Sequence, residues 1–327
     1  MPRAAGAGHL AAPGRPTTTD DVRTEDLKHT AAGTVLVLLL ALGGCSTTPD
    51  TAEPRPEPST PAAAMPVDVS AELRDLEAEF AARLGVSALD TGTGRTVEHR
   101  AAERFGFAST LKLFAAAELL RRTPADERDT PVTWTEEDVA AAGYSPVTSA
   151  HVGEGLTPAE LAEAAVRESD NTAMNLLLDR LGGPAGLERG LAELGDETTR
   201  VADVEPGLND VAAGNPANTT TPGALTAALG ALLAPGTLPE EDRELLLDWM
   251  SGNATGDTLV RAGAPAGWVV ADKSGGAGAI RNDVAVVTPP GREPILITVL
   301  TEREDPAAGY DDALVARTAG VVLTALG

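Results

Sequence analysis

Short strand-like runs gather at the two ends of the folding region and are all but absent between them. Near one end "GVSALD" (85–90) and "RTVEHR" (95–100) flank the turn "TGTG"; near the other, "GWVVADKSG" (267–275), "RNDVAVVT" (281–288) and "PILITVLT" (294–301) succeed one another. Their length, β-branched content and bounding Gly/Pro turns mark them as strands. From Ser109 to about Gly252 the pattern is helical, broken by Gly, Pro and Asn loops. Helix-period segments also open the region ("VSAELRDLEAEFAARL", 69–84) and close it ("YDDALVARTAGVVLTAL", 310–326). This order implies an α/β (α+β) fold: one antiparallel five-stranded sheet formed from both chain ends, flanked by helices, with an all-helical lobe inserted in the middle. A cleft between lobe and sheet is the expected place for a site.

At 327 residues the chain can bury a substantial core, and no stretch forces a split into two domains. Its formal charge of -24 argues against nucleic acid or an anionic membrane surface as a partner of a basic face, and points to small molecules. The single cysteine, Cys45, excludes an intramolecular disulfide and a multi-cysteine metal site. Only His99 and His151 lie beyond the leader region, which excludes a zinc site of several histidines; a Ser-His-Asp triad stays formally open, but neither histidine falls in a recognisable catalytic context and both read as ordinary packing or surface residues. Cations are almost all arginine: Lys28, Lys112 and Lys273 are the only lysines, and the first lies in the leader. Arginine cannot release its proton in a protein whereas a pressed lysine can, so the two retained lysines are candidates for proton transfer.

Residues 1–44 read as an export signal, with charges through Lys28, the apolar run "AAGTVLVLLLAL" and small residues before Cys45. The run is too short for a convincing spanning helix. "LGGC" resembles the lipobox of bacterial lipoproteins, which implies cleavage before Cys45 and a lipid anchor on it; the alternative is a plain secretory signal with a stray cysteine. Residues 45–67, rich in Pro, Thr and Glu, read as a disordered tether, and 68–327 as the folded domain. The expected location is outside the cytoplasm: lipid-anchored on the outer face of the cell membrane, or extracellular or periplasmic if released.

Four polar signals interrupt the apolar pattern. Ser109 and Lys112 stand three apart at the start of the apolar helix "TLKLFAAAELL", a spacing that puts both on one face. An amine there can take a hydroxyl proton, and the helix N-terminus favours developing negative charge. "SDN" (169–171) opens another apolar helix, where a plain N-cap is the simpler explanation. "EPGLN" (205–209) lies in a Gly/Pro/Asn loop, and "KSG" (273–275) ends a strand before a hairpin. Each is weak alone.

Together and in this order, S-x-x-K, S-D-N, E-x-x-L-N and K-S-G resemble the class A serine β-lactamases. The likeness extends to "YSPVT", "DWMSGNATGDTLVRAG" and "RNDVAVVTPPGREPI" and spans about residues 68–327. It implies hydrolysis of the β-lactam amide of penicillins, and of some cephalosporins, by a monomer that needs no cofactor or metal. By the same resemblance, Ser109 is the nucleophile, and the backbone N–H groups of Ser109 and Gly276 hold the oxyanion. Ser169 relays a proton to the leaving nitrogen, tuned by Lys273. Ser274 and Arg281, with Lys273, receive the substrate carboxylate; Asn171 binds the acylamido group and Tyr144 lines the entrance. Glu205 with Asn209 steers the deacylating water, while either Lys112 or Glu205 takes the serine proton during acylation. A D,D-peptidase or an antibiotic sensor shares the serine and lysines, but Glu205 in its loop argues for turnover.

Two departures stand out. Many relatives pin the glutamate loop by an arginine–aspartate pair where this chain has Asp203 and Asn218. A hydrogen bond between these two is the expected replacement, in a more mobile loop. The hairpin after "KSGGAG" is about two residues shorter than in many relatives, so the position of Arg281 depends on where the gap falls. Ala108 and Ala277 stand where carbapenem-hydrolysing relatives often carry a cysteine pair, so broad carbapenem hydrolysis is not expected.

Overall fold

The computed structural model describes residues 65–327. The expectations for the signal segment, Cys45 and the tether up to residue 64 lie outside the described residues. The strands are β1 (Met65–Pro66), β2 (Ala82–Asp90), β3 (Arg95–His99), β4 (Phe105–Gly106), β5 (Thr219–Thr220), β6 (Val269–Ala277), β7 (Ile280–Thr288) and β8 (Ile295–Arg303). The helices are α1 (Ser70–Phe80), α2 (Leu111–Arg122), α3 (Glu136–Ala142), α4 (Pro158–Arg167), α5 (Asn171–Leu181), α6 (Pro184–Glu193), α7 (Pro222–Leu233), α8 (Glu240–Ser251), α9 (Val260–Gly263) and α10 (Asp312–Leu326).

The main sheet runs β1-β3-β2-β8-β7-β6, so the chain ends meet where β2 pairs with β8 over its whole length, Ala82 opposite Arg303 through Asp90 opposite Ile295. Five of its strands are those expected, and all of these pair antiparallel. The sixth corrects the expected count: Met65–Pro66 adds a parallel edge to β3, and so draws the last residues of the expected tether into the sheet. Two residues carry no periodicity that a sequence could display. The opening helix also ends earlier than its pattern suggests. Ala81 takes a left-handed conformation (φ 46°), and Ala82–Leu84 pair with Arg303–Thr301 instead of continuing the helix. Long-range pairing there overrides a local period.

Both faces of the sheet are covered, which explains why strands such as "VAVV" (284–287) read as unbroken apolar runs. On one face Leu84, Val86, Ile297 and Val299 pack with Leu73 of α1 and Leu314, Val315 and Val322 of α10. On the other, Val284, Val286 and Leu296 join the core of the helical lobe, centred on α2. That helix is surrounded by protein: every residue from Leu111 to Leu120 is buried. A polar residue on its first turn is therefore buried too, and Lys112 is the one that meets this condition.

Candidate active site

Ser109 lies in the tight turn Ala108–Thr110 that feeds directly into α2. The preceding residue, Ala108, is held at φ 48°, a conformation costly for a residue with a Cβ. The turn is locked by Thr110, whose N–H and hydroxyl both donate to Phe107 O, at 3.3 and 2.7 Å. Strand β6 lies close against it: a Cβ at Gly275 would come 3.0 Å from Phe107 O and 3.1 Å from Thr110 N. Glycine at that position lets strand and nucleophile turn touch, and any Cβ would push them apart by a few tenths of an ångström.

Lys112 is the hub. Its Nζ donates to Ser109 Oγ at 3.0 Å, to the Ser169 carbonyl at 2.7 Å and to Asn171 Oδ1 at 2.6 Å, with Ser169 Oγ at 3.4 Å. Glu205 Oε1 stands 2.9 Å away as an ion-pair partner, although the angle there falls outside hydrogen-bond geometry. The ammonium has three protons for these five oxygens, so the proton positions are shared and exchangeable. Complete burial pushes the lysine below its ordinary range, and the Glu205 carboxylate pulls the other way.

The S-D-N segment serves two purposes at once. Asp170 is the N-cap of α5, accepting from Ala173 N at 2.9 Å, and it also accepts from Val147 N and Thr148 N at 2.9 Å each. The capping explanation is thus correct for Asp170, and the cap also ties "YSPVT" to α5. Ser169 is held at φ 57°, which turns it toward Lys112. Asn171 accepts from Lys112 and donates to Ala142 O at 3.0 Å, and its N–H donates to Tyr144 O at 2.8 Å.

Glu205 is 2% exposed although its neighbours Val204 and Pro206 lie at the surface. Asn209 donates to its Oε2 at 2.7 Å. A residue not singled out in the sequence fixes its backbone: Asn175 on α5 donates to Glu205 O at 3.0 Å and accepts from Glu205 N at 2.8 Å. The loop is closed at its base by Asn218, which is 1% exposed. Its Nδ2 donates to Asp203 Oδ2 at 2.8 Å and Gly207 O at 3.2 Å, and its Oδ1 accepts from Ala202 N at 3.0 Å. The expected Asp203–Asn218 hydrogen bond is present.

The facing wall belongs to β6 and β7. Lys273 is fully buried and donates to Ser274 O at 2.8 Å. Burial first, and the Lys112 cation second, push it down to about 7, opposed by the nearby Asp272 and Asp283 carboxylates. Asp272 is held by Asn253 at 2.5 Å and Arg261 at 2.6 Å. Ser274 Oγ shares a 2.5 Å hydrogen bond with Thr255 Oγ1. Arg281 pairs with Asp312 at 2.7 Å, donates to Thr255 O at 3.3 Å and lies 4.9 Å over the Tyr310 ring.

Ser109, Tyr144, Ser169, Asn171, Asn209, Ser274, Gly276 and Arg281 line one cavity of about 420 Å³, with Lys112, Glu205 and Lys273 buried around it. Every site residue expected within the domain is therefore brought to one place, Arg281 included. Thr255 and Tyr310 also line the cavity, and both were missed in the sequence. "NATGDT" contained the first in a quoted segment, but nothing local marked its hydroxyl; Tyr310 sat inside a helix-period window. His99 and His151 do not line it and instead lie near Glu77 (3.2 Å) and Glu154 (3.6 Å).

A fully buried amine bridging a serine hydroxyl and a loop carboxylate, opposite a lysine-bearing strand, defines a serine acyl-transfer site. Residues 68–324 match the model of the β-lactamase enzyme family. A β-lactamase of Bacillus licheniformis is 42% identical over 297 residues, covering 90% of this chain and 94% of that protein. One of Nocardia farcinica is 44% identical over 308 residues, covering 91% and 96%. The crystal structure of a class A β-lactamase from Clostridium kluyveri superposes with a TM-score of 0.76 at 40% identity, covering 79% of this chain and 98% of that one. The β-lactamase of Streptomyces albus G gives 0.77 at 40% identity, covering 79% and 99%. The chain belongs to the β-lactamase family, among the class A serine enzymes.

Proposed function

We propose that the protein hydrolyses the amide of penicillins, and of cephalosporins, through an ester on Ser109, and so confers resistance on the cell that exports it. Lys112 carries the reading, because one buried amine touches both the nucleophile and the carboxylate that would clear the ester. In acylation the Ser109 proton passes toward Lys112 or Glu205 while Oγ bonds to the lactam carbonyl. The N–H groups of Ser109 and Gly276 hold the oxyanion, and the carbonyl re-forms as the C–N bond breaks. Ser169, within 3.4 Å of Lys112 Nζ, delivers its proton to the leaving nitrogen and is reprotonated through Lys112 by the proton that left Ser109. In deacylation Glu205, aligned by Asn209 and Asn175, takes a proton from a water that attacks the ester carbonyl, and that proton passes to Ser109 Oγ as the acyl C–O bond breaks. Lys273, Ser274, Thr255 and Arg281 receive the substrate carboxylate, Asn171 the acylamido group, and Tyr144 borders the entrance.

The protein is mixed with a penicillin and with a chromogenic cephalosporin. Many turnovers support hydrolysis, whereas one stoichiometric burst identifies a peptidase or sensor that stays acylated. In Glu205→Ala the acyl-enzyme should accumulate and be visible by mass spectrometry. We further propose export and lipid attachment at Cys45. Among the described residues no helix is long and apolar enough to cross a membrane, so this reading rests on the leader sequence alone. If Cys45→Ala leaves the protein membrane-bound, the anchor is wrong.

A further inference from the structure

The chain contains two tyrosines, Tyr144 and Tyr310, and both border the same cavity. They come from different parts of the fold, Tyr144 from the helical lobe and Tyr310 from the segment that leads from β8 into α10. Both are exposed, by 58% and 47%, and so are open to a molecule bound in the cleft. One face of Tyr310 is covered by the Arg281 guanidinium at 4.9 Å. Its edge lies against the oxyanion strand, where a Cβ on Gly276 would sit 3.4 Å from Tyr310 Cε1. The rest of the ring faces the solvent side of the cleft.

Substrate chemistry says what would meet that ring. In a cephalosporin the carbon bearing the carboxylate is bonded to C3, so seating the carboxylate on Ser274, Thr255 and Arg281 leaves the C3 substituent beside the groups that flank Arg281. In penicillins the corresponding neighbour of the carboxylate-bearing carbon carries only two methyl groups, which are small and uncharged. The surroundings favour a positive substituent: among the acids of residues 302–312, Glu302 is paired with Arg83 and Asp312 with Arg281, which leaves Glu304, Asp305 and Asp311 against Arg303. The charge of Arg281 is already matched by Asp312. A flat cation on an aromatic face in an acidic setting is stabilised by both the ring quadrupole and the local field.

We propose that Tyr310 is a specificity-determining residue that binds the C3 substituent of cephalosporins and favours flat cationic ones; this rests on the carboxylate seat assigned under the proposed function. The test compares two cephalosporins, one with a pyridinium-methyl group at C3 and one with a methyl group, by the second-order rate of Ser109 acylation. In Tyr310→Leu the ratio of the two rates should fall about threefold to tenfold, the range a cation–π contact supplies at a partly exposed site. Tyr310→Phe should keep the ratio. An unchanged ratio in Tyr310→Leu overturns the proposal, as does an equal loss on both substrates, which would make Tyr310 only a support for Arg281. Because acylation is read directly, the ratio remains measurable even if the protein stalled after one equivalent, an outcome that would overturn hydrolysis and leave the Tyr310 comparison intact.

Discussion

Replacing Asn218 by aspartate changes one NH₂ into an oxygen and tests what closes the catalytic loop. Asn218 is held at φ 56°, a conformation that asparagine and aspartate both tolerate, so the backbone does not confuse the comparison. The variant loses the hydrogen bonds to Asp203 Oδ2 (2.8 Å) and Gly207 O (3.2 Å), roughly 1 kcal/mol each in net stability. It also sets a second carboxylate against Asp203. Two like charges about 3 Å apart cost ~5 kcal/mol at an effective dielectric near 20. Asp203 is exposed, so solvent and salt reduce this to ~1–2 kcal/mol. The expected loss at neutral pH is therefore ~3–4 kcal/mol in stability of the loop and what it holds. The repulsion raises the affinity of the folded pair for a proton, so the folded state binds more protons than the unfolded chain, and the penalty must grow as pH rises from about 4 to about 7. Urea unfolding at both ends of that window, with amide exchange across 203–218, gives the values. The exchanged pair, Asp203→Asn with Asn218→Asp, restores one donor–acceptor contact and should recover ~2 kcal/mol. A penalty below ~1 kcal/mol, or one independent of pH, would refute the reasoning.

Restoring the ion pair of relatives, Asp203→Arg with Asn218→Asp, should slow amide exchange in the loop and alter deacylation; if neither changes, the loop is not more mobile for want of that pair. Lys273, lowered to about 7 by burial and by Lys112, is protonated below that pH and neutral above it, so kcat/KM for carboxylate-bearing substrates should fall on the alkaline side of about 7. Across that range the unfolded chain, with lysine near 10.4, holds a proton that the fold lacks, so this group adds stability as pH rises. Lys273→Arg cannot deprotonate and should lose the alkaline limb; an identical limb would assign it elsewhere. Asn175→Ala removes both bonds to the Glu205 backbone and should lower stability by ~1–3 kcal/mol while slowing ester release more than its formation. Unaltered burst amplitude and melting temperature would show that Asn175 is dispensable for placing Glu205.

What the sequence could reveal depended on whether the signal was local. Ser109 with Lys112, and Ser169 with Asn171, are legible because each pair must share one helix start, and the chemistry fixes the spacing. The sheet was legible because its long strands are buried on both faces, while β1, with two residues, had no pattern to show. Asn175, Thr255 and Asp272 act across 30, 19 and 19 residues respectively, on Glu205, Ser274 and Asn253. Only Asn175 left a trace, as a polar residue between Met174 and Leu176, four positions after Asn171 and so on the same face of the helix.

The depth of the two lysines was not legible at all, yet it follows from the fold. Lys112 is buried because α2 is enclosed on every side, and Lys273 because β6 presses against the nucleophile turn through Gly275. Each cation disfavours the other, as the lowering of Lys273 by Lys112 shows, so the site holds two ammonium groups only with the carboxylates around them. Glu205 lies against Lys112, and Asp272 and Asp283 flank Lys273. For Lys273 the neutral and charged amines are thereby close in free energy near neutral pH, and burial moves Lys112 in the same direction, toward an amine that can accept a proton from serine and return it. Arginine in either place would be fixed in its charge and could do neither, which is a physical reason for a chain built on arginine to keep lysine at these two positions.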